Sequence, residues 1–438
     1  MAAKPSPTPK PTPKPTASPD TDPRHRWDRP LQAPGHMQVD FEERVDFRRL
    51  NAYRLGRVRQ ALKASGLGAL LVFDQNNIRY ISSTVIGEWA RDKLMRWALI
   101  TGTGEPWVWD FGSAARHHRL YAPWIPERQS LAGMTGMRGA VSPRAGLFKN
   151  AAQEIKNILK AEGVAGMPLG IDVVEPPFLF ALQEAGVRVS DGQQTMLDAR
   201  QIKSQDELML LNQAAAMVDG AYQDIYEALK PGVRENEIVA LATKRLYEMG
   251  ADCVEAINSI SGERCSPHPH NFTDRIIRPG DQAFFDIIMS FVGYRTCYYR
   301  TFSVGRATQP QKDAYKKARE WMDEAIALIK PGVTTDRIAR VFPKAQEIGF
   351  ESEMASVGLN FCHGIGVALH ERPVISRLNS FDDPMALEAG MMFAVETYCP
   401  ATDGVSAARI EEEIIVTPGG AKIITLFPAE TLPIANKY

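Results

Sequence analysis

Three acidic side chains interrupt stretches of sequence that otherwise predict buried β-strands. Asp286 lies in the run QAFFDIIM, and Glu396 lies in the run MMFAVETY. Glu411 is the first residue of the acidic triplet in ARIEEEIIVT. Continuous apolar runs of this length are typical of strands that are covered on both faces, where an ionised carboxylate is costly unless a cation or a metal ion binds it. These strands therefore predict internal ion pairs or a metal site.

Four histidines accompany these carboxylates in the same half of the chain. His363 and His370 lie in FCHGIGVALHERP, and His268 and His270 lie in the turn-rich stretch RCSPHPHNF. Carboxylates and imidazoles are the ligands of hard to borderline divalent metal ions. Each residue also has a simpler explanation: a buried aspartate can cap a turn, a lone histidine can pack in a core, and a glutamate triplet can protect a sheet edge. The combination of these residues, rather than any one of them, indicates a metal site.

An internal repeat predicts the scaffold that holds them. The stretch ALKPGVRENEIVALATKRLYEMG (228–250) resembles ALIKPGVTTDRIARVFPKAQEIG (327–349). Each contains a helix, a Lys-Pro-Gly-Val turn and a second helix that ends at glycine. This separation indicates a duplicated α+β unit, because the repeats of solenoid proteins are shorter. Two such halves pack around a cleft, which is a common place for a site.

The chain divides into three predicted regions. Residues 1–37 are rich in Pro, Lys and Thr, and we expect them to be disordered or in polyproline II conformation, whether they are natural or introduced. Residues 38–200 alternate between strand and helix patterns, which predicts an α/β domain. One long helical pattern over 198–229 begins the second folded region, residues 201–438.

The composition excludes several classes of protein. The chain has 438 residues with 51 basic and 52 acidic side chains, so no charge excess favours nucleic acid or an acidic membrane surface as a partner. No apolar run approaches the length of a membrane span. The five cysteines are odd in number and lack metal-type spacing, and the N-terminus lacks the apolar core of a signal peptide. We therefore expect a cytoplasmic protein without a disulfide framework.

The order and surroundings of these residues resemble the pita-bread metallopeptidase family, which contains methionine aminopeptidase, aminopeptidase P, prolidase and the non-peptidase creatinase. The resemblance extends over roughly residues 45 to 430. It implies an α+β protein with an N-terminal creatinase-like α/β domain and a C-terminal duplicated pita-bread domain. It also implies metal ligands at Asp286, Cys297, His363, Glu396 and Glu411, and catalytic groups at His268, His270, His370 and Glu396.

Cys297 departs from the family pattern. The stretch GYRTCYYRTF has a cysteine where the family's GYxxDxxRTF has a metal-binding aspartate. Three alternatives follow: one metal ion held on the side of His363, Glu396 and Glu411; a thiolate ligand that selects a softer ion such as zinc or ferrous iron; or a metal-free site of the creatinase type. Cys297 is equally explained as a small buried hydrophobic residue. We expect one divalent ion (zinc, manganese or iron) rather than two.

The resemblance implies a metal-dependent hydrolase that acts on a small amide or other C–N substrate, for example a dipeptide-like or Xaa-Pro compound. One alternative is a C–S lyase of the dimethylsulfoniopropionate lyase branch, which the stretch FDQNNIRYIS also resembles. That branch is expected to carry a further aspartate where this chain has Ile288. A second alternative is a pseudo-peptidase that only binds partners, and the retained ligand positions favour an enzyme over it.

Two aromatic residues are candidate substrate contacts. Trp89 and Tyr294 offer π-faces that attract a cationic group, although aromatic residues in strands commonly belong to the core. The N-terminal domain of such proteins typically pairs protomers, so the resemblance also implies a homodimer.

Overall fold

The structure is a computed structural model that describes residues 45–87, 94–356 and 361–438. The predicted leader, residues 1–37, lies outside the described residues. The helices are α1 Phe47–Ser65, α2 Gln75–Ser82, α3 Gly112–Tyr121, α4 Leu147–Ala161, α5 Pro176–Glu184, α6 Gln193–Arg200, α7 Gln205–Ala228, α8 Glu235–Glu248, α9 Gln309–Leu328 and α10 Thr335–Ala339. Among the described residues, no helix combines the length and the apolar character needed to cross a bilayer.

The strands form three sheets. They are β1 Ala69–Val72, β2 Trp97–Thr101, β3 Trp107–Asp110, β4 Ser130–Ala132, β5 Leu169–Ile171, β6 Val189–Asp191, β7 Cys253–Ser261, β8 Gln282–Phe291, β9 Tyr294–Val304, β10 Cys362–Gly364, β11 Glu371–Ile375, β12 Met392–Pro400, β13 Ala407–Thr417, β14 Gly420–Ile423 and β15 Ile434–Ala435. The sheet orders are β4-β3-β2-β1-β5-β6, β11-β10-β12-β13-β14 and β15-β9-β8-β7.

The N-terminal sheet is mixed and carries helices on both faces. Strand β1 pairs antiparallel with β2 and parallel with β5. Leu71 and Trp97 pack with side chains of α4 and α5 on one face, whereas Leu70 and Val72 pack with α1 on the other. Because alternate residues of a strand point to opposite faces, a fully apolar strand such as β1 needs both layers of helices. The predicted α/β character of this region is confirmed.

The repeat is visible as two matching turns in the C-terminal region. The amide of Gly232 donates to the carbonyl of Ile277 at 2.9 Å, and the amide of Gly332 donates to the carbonyl of Leu387 at 2.8 Å. Both glycines have positive φ, 97° and 86°, a conformation that costs other residues more. The two Lys-Pro-Gly-Val turns therefore join each helical segment to its sheet in the same way.

The duplication also places two carboxylates at equivalent positions. Asp286 follows Gly280 by six residues on β8, and Glu396 follows Gly390 by six residues on β12. Both glycines open a turn with positive φ, 85° and 90°. The two halves thus each bring one acidic side chain to the centre of a strand.

Two helix predictions were wrong. The pattern over 198–229 was predicted as one helix, but α6 ends at Arg200 and α7 begins at Gln205. Ser204 caps α7: its side chain accepts from the amide of Glu207, whose carboxylate accepts from the amide of Ser204. The helix after the second repeat turn is only α10, because Pro343 lacks an amide hydrogen and stops its continuation.

Buried polar contacts join the N-terminal and C-terminal regions. Glu371 accepts from the ammonium of Lys203 at 2.9 Å and lies 3.3 Å from Nε of Arg200. All three side chains are almost completely buried. The pairing offsets the cost of burying these charges and fixes β11 against the segment between α6 and α7.

Candidate metal and catalytic centre

Two glutamates face each other inside the five-stranded sheet. Glu396 on β12 lies directly opposite Glu411 on β13 in the antiparallel register. The Glu411 side chain is fully buried and the Glu396 side chain is 12% exposed. Like charges directly opposite each other destabilise a sheet, and burial increases that cost. The pair therefore requires cations or protons nearby.

Arg409 supplies one of these cations. Its Nη2 lies 2.5 Å from Oε2 of Glu396, and its Nη1 donates to Nε2 of His268 at 2.5 Å. The guanidinium lies over the ring of Tyr299, with 4.1 Å between its central carbon and the ring centroid. Glu396 is thus already paired, whereas Glu411 is not.

Glu411 is a buried carboxylate without a hydrogen-bond donor. Neither of its oxygens has a hydrogen-bond partner among the described residues, and both are sealed from solvent. Oε1 lies 3.7 Å from Nε2 of His363. Burial, followed by the charges of Glu396 and Asp286, raises the pKa of Glu411 well above its usual range. Such an orphaned carboxylate fits a site that a metal ion completes.

Cys297 lies at the same point. Its Sγ lies 3.4 Å from Oδ1 of Asp286, and its amide donates to Oε1 of Glu413 at 2.7 Å. Donor atoms of Cys297, His363 and Glu411 all lie within 4.8 Å of one another. Burial raises the pKa of the thiol well above its usual range, so a bound metal would have to displace its proton.

The donor atoms fit a single borderline metal ion. A thiolate, an imidazole and a carboxylate are the ligand types of zinc sites, and the sulfur disfavours hard ions such as Mg²⁺. His363 is oriented for this role because its Nδ1 donates to the carbonyl of Gly364 at 3.3 Å, which leaves the lone pair of Nε2 towards Glu411. Cys297, His363 and Glu411 would hold such an ion.

Asp286 lies at the edge of this group. Asn258, its cross-strand neighbour on β7, donates to Oδ2 at 3.0 Å. Burial raises the pKa of Asp286 to about 6, although the charge of Arg409 acts in the opposite direction. The other oxygen faces the Cys297 thiol, so Asp286 is placed to assist Cys297 in binding a metal.

His268 and His270 lie on one side of the cluster. The His268 ring is buried, and its Nδ1 donates to the carbonyl of Pro269 at 3.1 Å while Nε2 accepts from Arg409. Burial, followed by the charge of Arg409, lowers the pKa of His268 to about 3. The ring of His270 is 4.5 Å away and is exposed. His268 is therefore neutral at pH 7, and its Nε2 is engaged by Arg409.

His370 lies beside His363, with 4.5 Å between the ring centroids. It is on the exposed side of the pair. Burial of part of the ring, followed by the charge of His363, lowers the pKa of His370 to about 4. A neutral imidazole at this position can donate a hydrogen bond to a developing negative charge.

One predicted substrate contact is wrong, and another lies outside the described residues. Tyr294 is fully buried; its hydroxyl accepts from Nε of Arg54 and donates to Oε1 of Glu207, each at 3.0 Å. It therefore helps to join α1, α7 and β9 and cannot reach a substrate. Trp89 lies outside the described residues.

The sheet-edge explanation of the glutamate triplet is also wrong. Strand β13 lies between β12 and β14, and none of the three glutamates is exposed. Glu412 points away from the cluster and pairs with Arg300 at 2.8 Å and Arg319 at 2.9 Å. Each member of the triplet thus has a separate internal environment.

Two charged residues near the cluster were missed. Arg409 and Glu413 lie two residues before and after Glu411, so all three share one face of β13. Glu413 is fully buried, its Oε2 has no hydrogen-bond partner among the described residues, and burial raises its pKa to about 8. Alternate residues of a strand lie on the same face, so the strand pattern ARIEEE could have placed both residues on the face of Glu411.

One family model and several known proteins are similar to this chain. Residues 209–418 match the model of metallopeptidase family M24. Dimethylsulfoniopropionate lyase DddP of Roseovarius nubinhibens is 25% identical over 399 residues, which cover 87% of each chain. Xaa-Pro dipeptidase of Pyrococcus furiosus is 30% identical over 241 residues, 54% of this chain and 66% of that protein.

Solved structures share the fold. Xaa-Pro dipeptidase from Bacillus anthracis superposes with a TM-score of 0.70 at 23% identity, covering 88% of this chain and 99% of its own. Such structures combine an N-terminal domain with a C-terminal pita-bread domain, which confirms the predicted fold class. The relatives support a peptidase-like enzyme. The C-terminal region, residues 209–418, is therefore similar to metallopeptidase family M24, and the predicted resemblance to the pita-bread metallopeptidases is confirmed.

Proposed function

We propose that this protein is a metal-dependent hydrolase that cleaves an amide or other C–N bond of a small, dipeptide-like substrate with one divalent ion. The observation that carries the proposal is the fully buried Glu411 carboxylate, whose oxygens have no hydrogen-bond partner among the described residues and which lies beside the donor atoms of Cys297 and His363. A cation is the group that such a site lacks.

Cys297, His363 and Glu411 would hold the ion, and Asp286 would assist them. The ion would supply polarisation of a substrate carbonyl and a lower pKa for a water molecule. We favour zinc among the candidates zinc, manganese and iron because sulfur and nitrogen ligands suit it best. The sulfur replaces a hard oxygen donor, and two-ion sites of this kind need bridging oxygen ligands, so we favour one ion over two.

Glu396 is the proton carrier in this proposal. Its side chain is the more exposed of the two opposed glutamates, and it accepts a proton from the attacking water and passes it to the leaving nitrogen. Arg409 holds the Glu396 carboxylate in place through its hydrogen bond from Nη2 to Oε2. His370, neutral and at the exposed side, donates a hydrogen bond to the developing oxyanion. His268 orients Arg409 by accepting its hydrogen bond, and the neighbouring, exposed His270 contacts the substrate in this proposal.

The names of the relatives support the proposed substrate class. The Pyrococcus furiosus protein is named an Xaa-Pro dipeptidase, and its alignment with this protein covers 54% of this chain. We infer that Xaa-Pro dipeptides are the first substrates to examine. We further propose that the protein is a cytoplasmic homodimer. Within each chain, we place the domain boundaries at residues 37 and 200. Light scattering after size exclusion chromatography tests the dimer.

The test combines metal content with activity. Protein purified without added metal is analysed by inductively coupled plasma mass spectrometry, beside the variant Cys297→Asp, and both are assayed with a panel of Xaa-Pro dipeptides. We expect about one equivalent of metal in the parent, a rise towards two in the variant, and hydrolysis that a chelator abolishes. A parent that stays metal-free after reconstitution contradicts the proposal and favours creatinase-like histidine catalysis or a binding protein.

A C–S lyase is the second candidate. The Roseovarius nubinhibens lyase aligns over 87% of this chain, whereas the dipeptidase aligns over 54%. Two residues oppose it: Ile288 and Cys297 stand where the lyase branch is expected to have aspartates. Incubation with dimethylsulfoniopropionate and detection of dimethyl sulfide by gas chromatography decides between the two reactions.

A further inference from the structure

A cavity of about 430 Å³ lies in the N-terminal α/β region. Its walls are mainly apolar, and the side chains that matter here are Leu94, Val141, Phe148 and Val174. Glu175 and the exposed Arg138 also line it. A cavity of this volume is within the range of small-molecule sites. It shares no residue with the carboxylate cluster around Glu411.

Glu175 is the unusual member of this lining. The residue is 7% exposed, and its Oε2 is sealed from solvent without a hydrogen-bond partner. Among the described residues, no ion pair reaches this carboxylate. A buried carboxylate in that condition is costly, and natural proteins rarely keep one without a function.

The local sequence explains why the chain itself does not satisfy Glu175. Glu175 precedes α5, a position where a side chain usually accepts from amides of the first helical turn. The next two residues are Pro176 and Pro177, which have no amide hydrogen. The amide of Phe178 donates to the backbone carbonyl of Glu175 instead, at 2.9 Å. The carboxylate therefore depends on a donor from outside the helix.

We propose that this cavity binds a small organic ammonium ion with an apolar body, and that Glu175 pairs with the ammonium group. A metal ion is a poor match, because it needs several oxygen ligands and the cavity offers one carboxylate among apolar walls. An ammonium group reaches the carboxylate through Oε1, which is not sealed from solvent as Oε2 is, and forms a charge-assisted hydrogen bond with it, while a hydrocarbon body covers Phe148, Val141 and Val174. The ammonium can belong to a simple amine or to an amino acid, whose carboxylate Arg138 would meet.

Titration calorimetry on the full chain tests the proposal with phenethylammonium as the probe and phenethyl alcohol as its neutral counterpart. We expect saturable binding of phenethylammonium that weakens by at least about tenfold in Glu175→Gln. Binding in the matched control Glu184→Gln, an exposed residue at the end of α5, stays as in the parent. Tighter binding of L-phenylalanine, lost in Arg138→Gln, identifies an amino acid as the natural class.

A second variant keeps the test informative if Glu175→Gln folds poorly. Val141→Phe fills the cavity without changing charge, and we expect it to abolish binding of phenethylammonium while leaving the metal content unchanged. Equal affinity of the parent and Glu175→Gln for phenethylammonium overturns the proposal. Equal binding of the ammonium and the alcohol by the parent also overturns it. Because the cavity and the carboxylate cluster are separate, neither result depends on the proposed hydrolase activity.

Discussion

Arg409 and Glu396 form a buried ion pair, with 2.5 Å between Nη2 and Oε2, on the face of the sheet that carries Glu411. Of the two opposed glutamates, Glu396 therefore has a charged hydrogen-bond donor, whereas neither oxygen of Glu411 has a donor among the described residues. This difference sets what each carboxylate can do, and it yields the first prediction.

Substitution of Arg409 should destabilise the protein, because it leaves Glu396 without its partner. We expect Arg409→Gln to lower the free energy of unfolding of the metal-free protein by about 3–5 kcal/mol, because it leaves a buried charge without its partner. Urea unfolding in the presence of chelator measures this. Arg409→Lys, which keeps the charge, should lose less. A metal-free Arg409→Gln protein as stable as the parent would show that Glu396 does not rely on this pair.

Glu413 predicts how stability depends on pH in the metal-free protein. Its pKa is raised to about 8 in the folded state, so the folded protein holds this proton more tightly than the unfolded chain does. The contribution of the protonated Glu413 to the free energy of unfolding is therefore fully present below the ordinary glutamate pKa, and it is lost as pH rises towards 8. Between pH 6.5 and 8 we expect a loss of about 1–2 kcal/mol from this group.

Glu411 acts in the same direction as Glu413, because its pKa is also raised well above the usual range, so comparison with a Glu413 variant is needed to isolate Glu413. Asp286 titrates mainly below this pH window, since its pKa is raised only to about 6. His268 and His370 have lowered pKa values, so they act with the opposite sign: they add stability as the unfolded histidines lose their protons around pH 6.5. Across pH 6.5 to 8 the urea midpoint of the parent should fall relative to that of Glu413→Gln, because the other titrating groups are common to both proteins. A parent midpoint that stays level or rises relative to that of Glu413→Gln contradicts the prediction.

The buried cluster of Glu371, Lys203 and Arg200 predicts a large effect on the free energy of unfolding. Glu371→Gln leaves the buried cations Lys203 and Arg200 without a carboxylate, and we expect a loss of about 3–5 kcal/mol in the free energy of unfolding. Chemical denaturation of metal-loaded and metal-free protein measures it. The exposed Glu388 offers a matched control, since Glu388→Gln should leave the midpoint unchanged. Similar midpoints for both variants would rule out a stabilising role for the cluster.

The sequence predicted the parts of the site that depend on local pattern. Asp286 and Glu396 stand out because each breaks a run of apolar residues, and both do lie on strands with buried neighbours. The repeated Lys-Pro-Gly-Val turns predicted the duplication, because glycine with positive φ is a local requirement. These features need no knowledge of which strands pair.

The remaining features depend on pairing between distant strands. Nothing near Arg409 in the sequence indicates that it reaches Glu396, thirteen residues away on the neighbouring strand. Asn258 meets Asp286 only through the register of β7 and β8. Tyr294 looked available for a substrate, but its hydroxyl is used by Arg54 from a different region of the chain. Long-range register and packing decided these cases.

The central claim is that Cys297 is a thiolate ligand of a single metal ion, and titration of the metal-free protein with Co²⁺ tests it most directly. A cysteine thiolate bound to Co²⁺ gives a charge-transfer absorption in the near ultraviolet, independent of any substrate. We expect this band to grow and saturate at about one equivalent in the parent, and to be absent from Cys297→Ser while weaker Co²⁺ binding persists. A parent that binds Co²⁺ without the band, or a Cys297→Ser spectrum identical to the parent's, would contradict the claim.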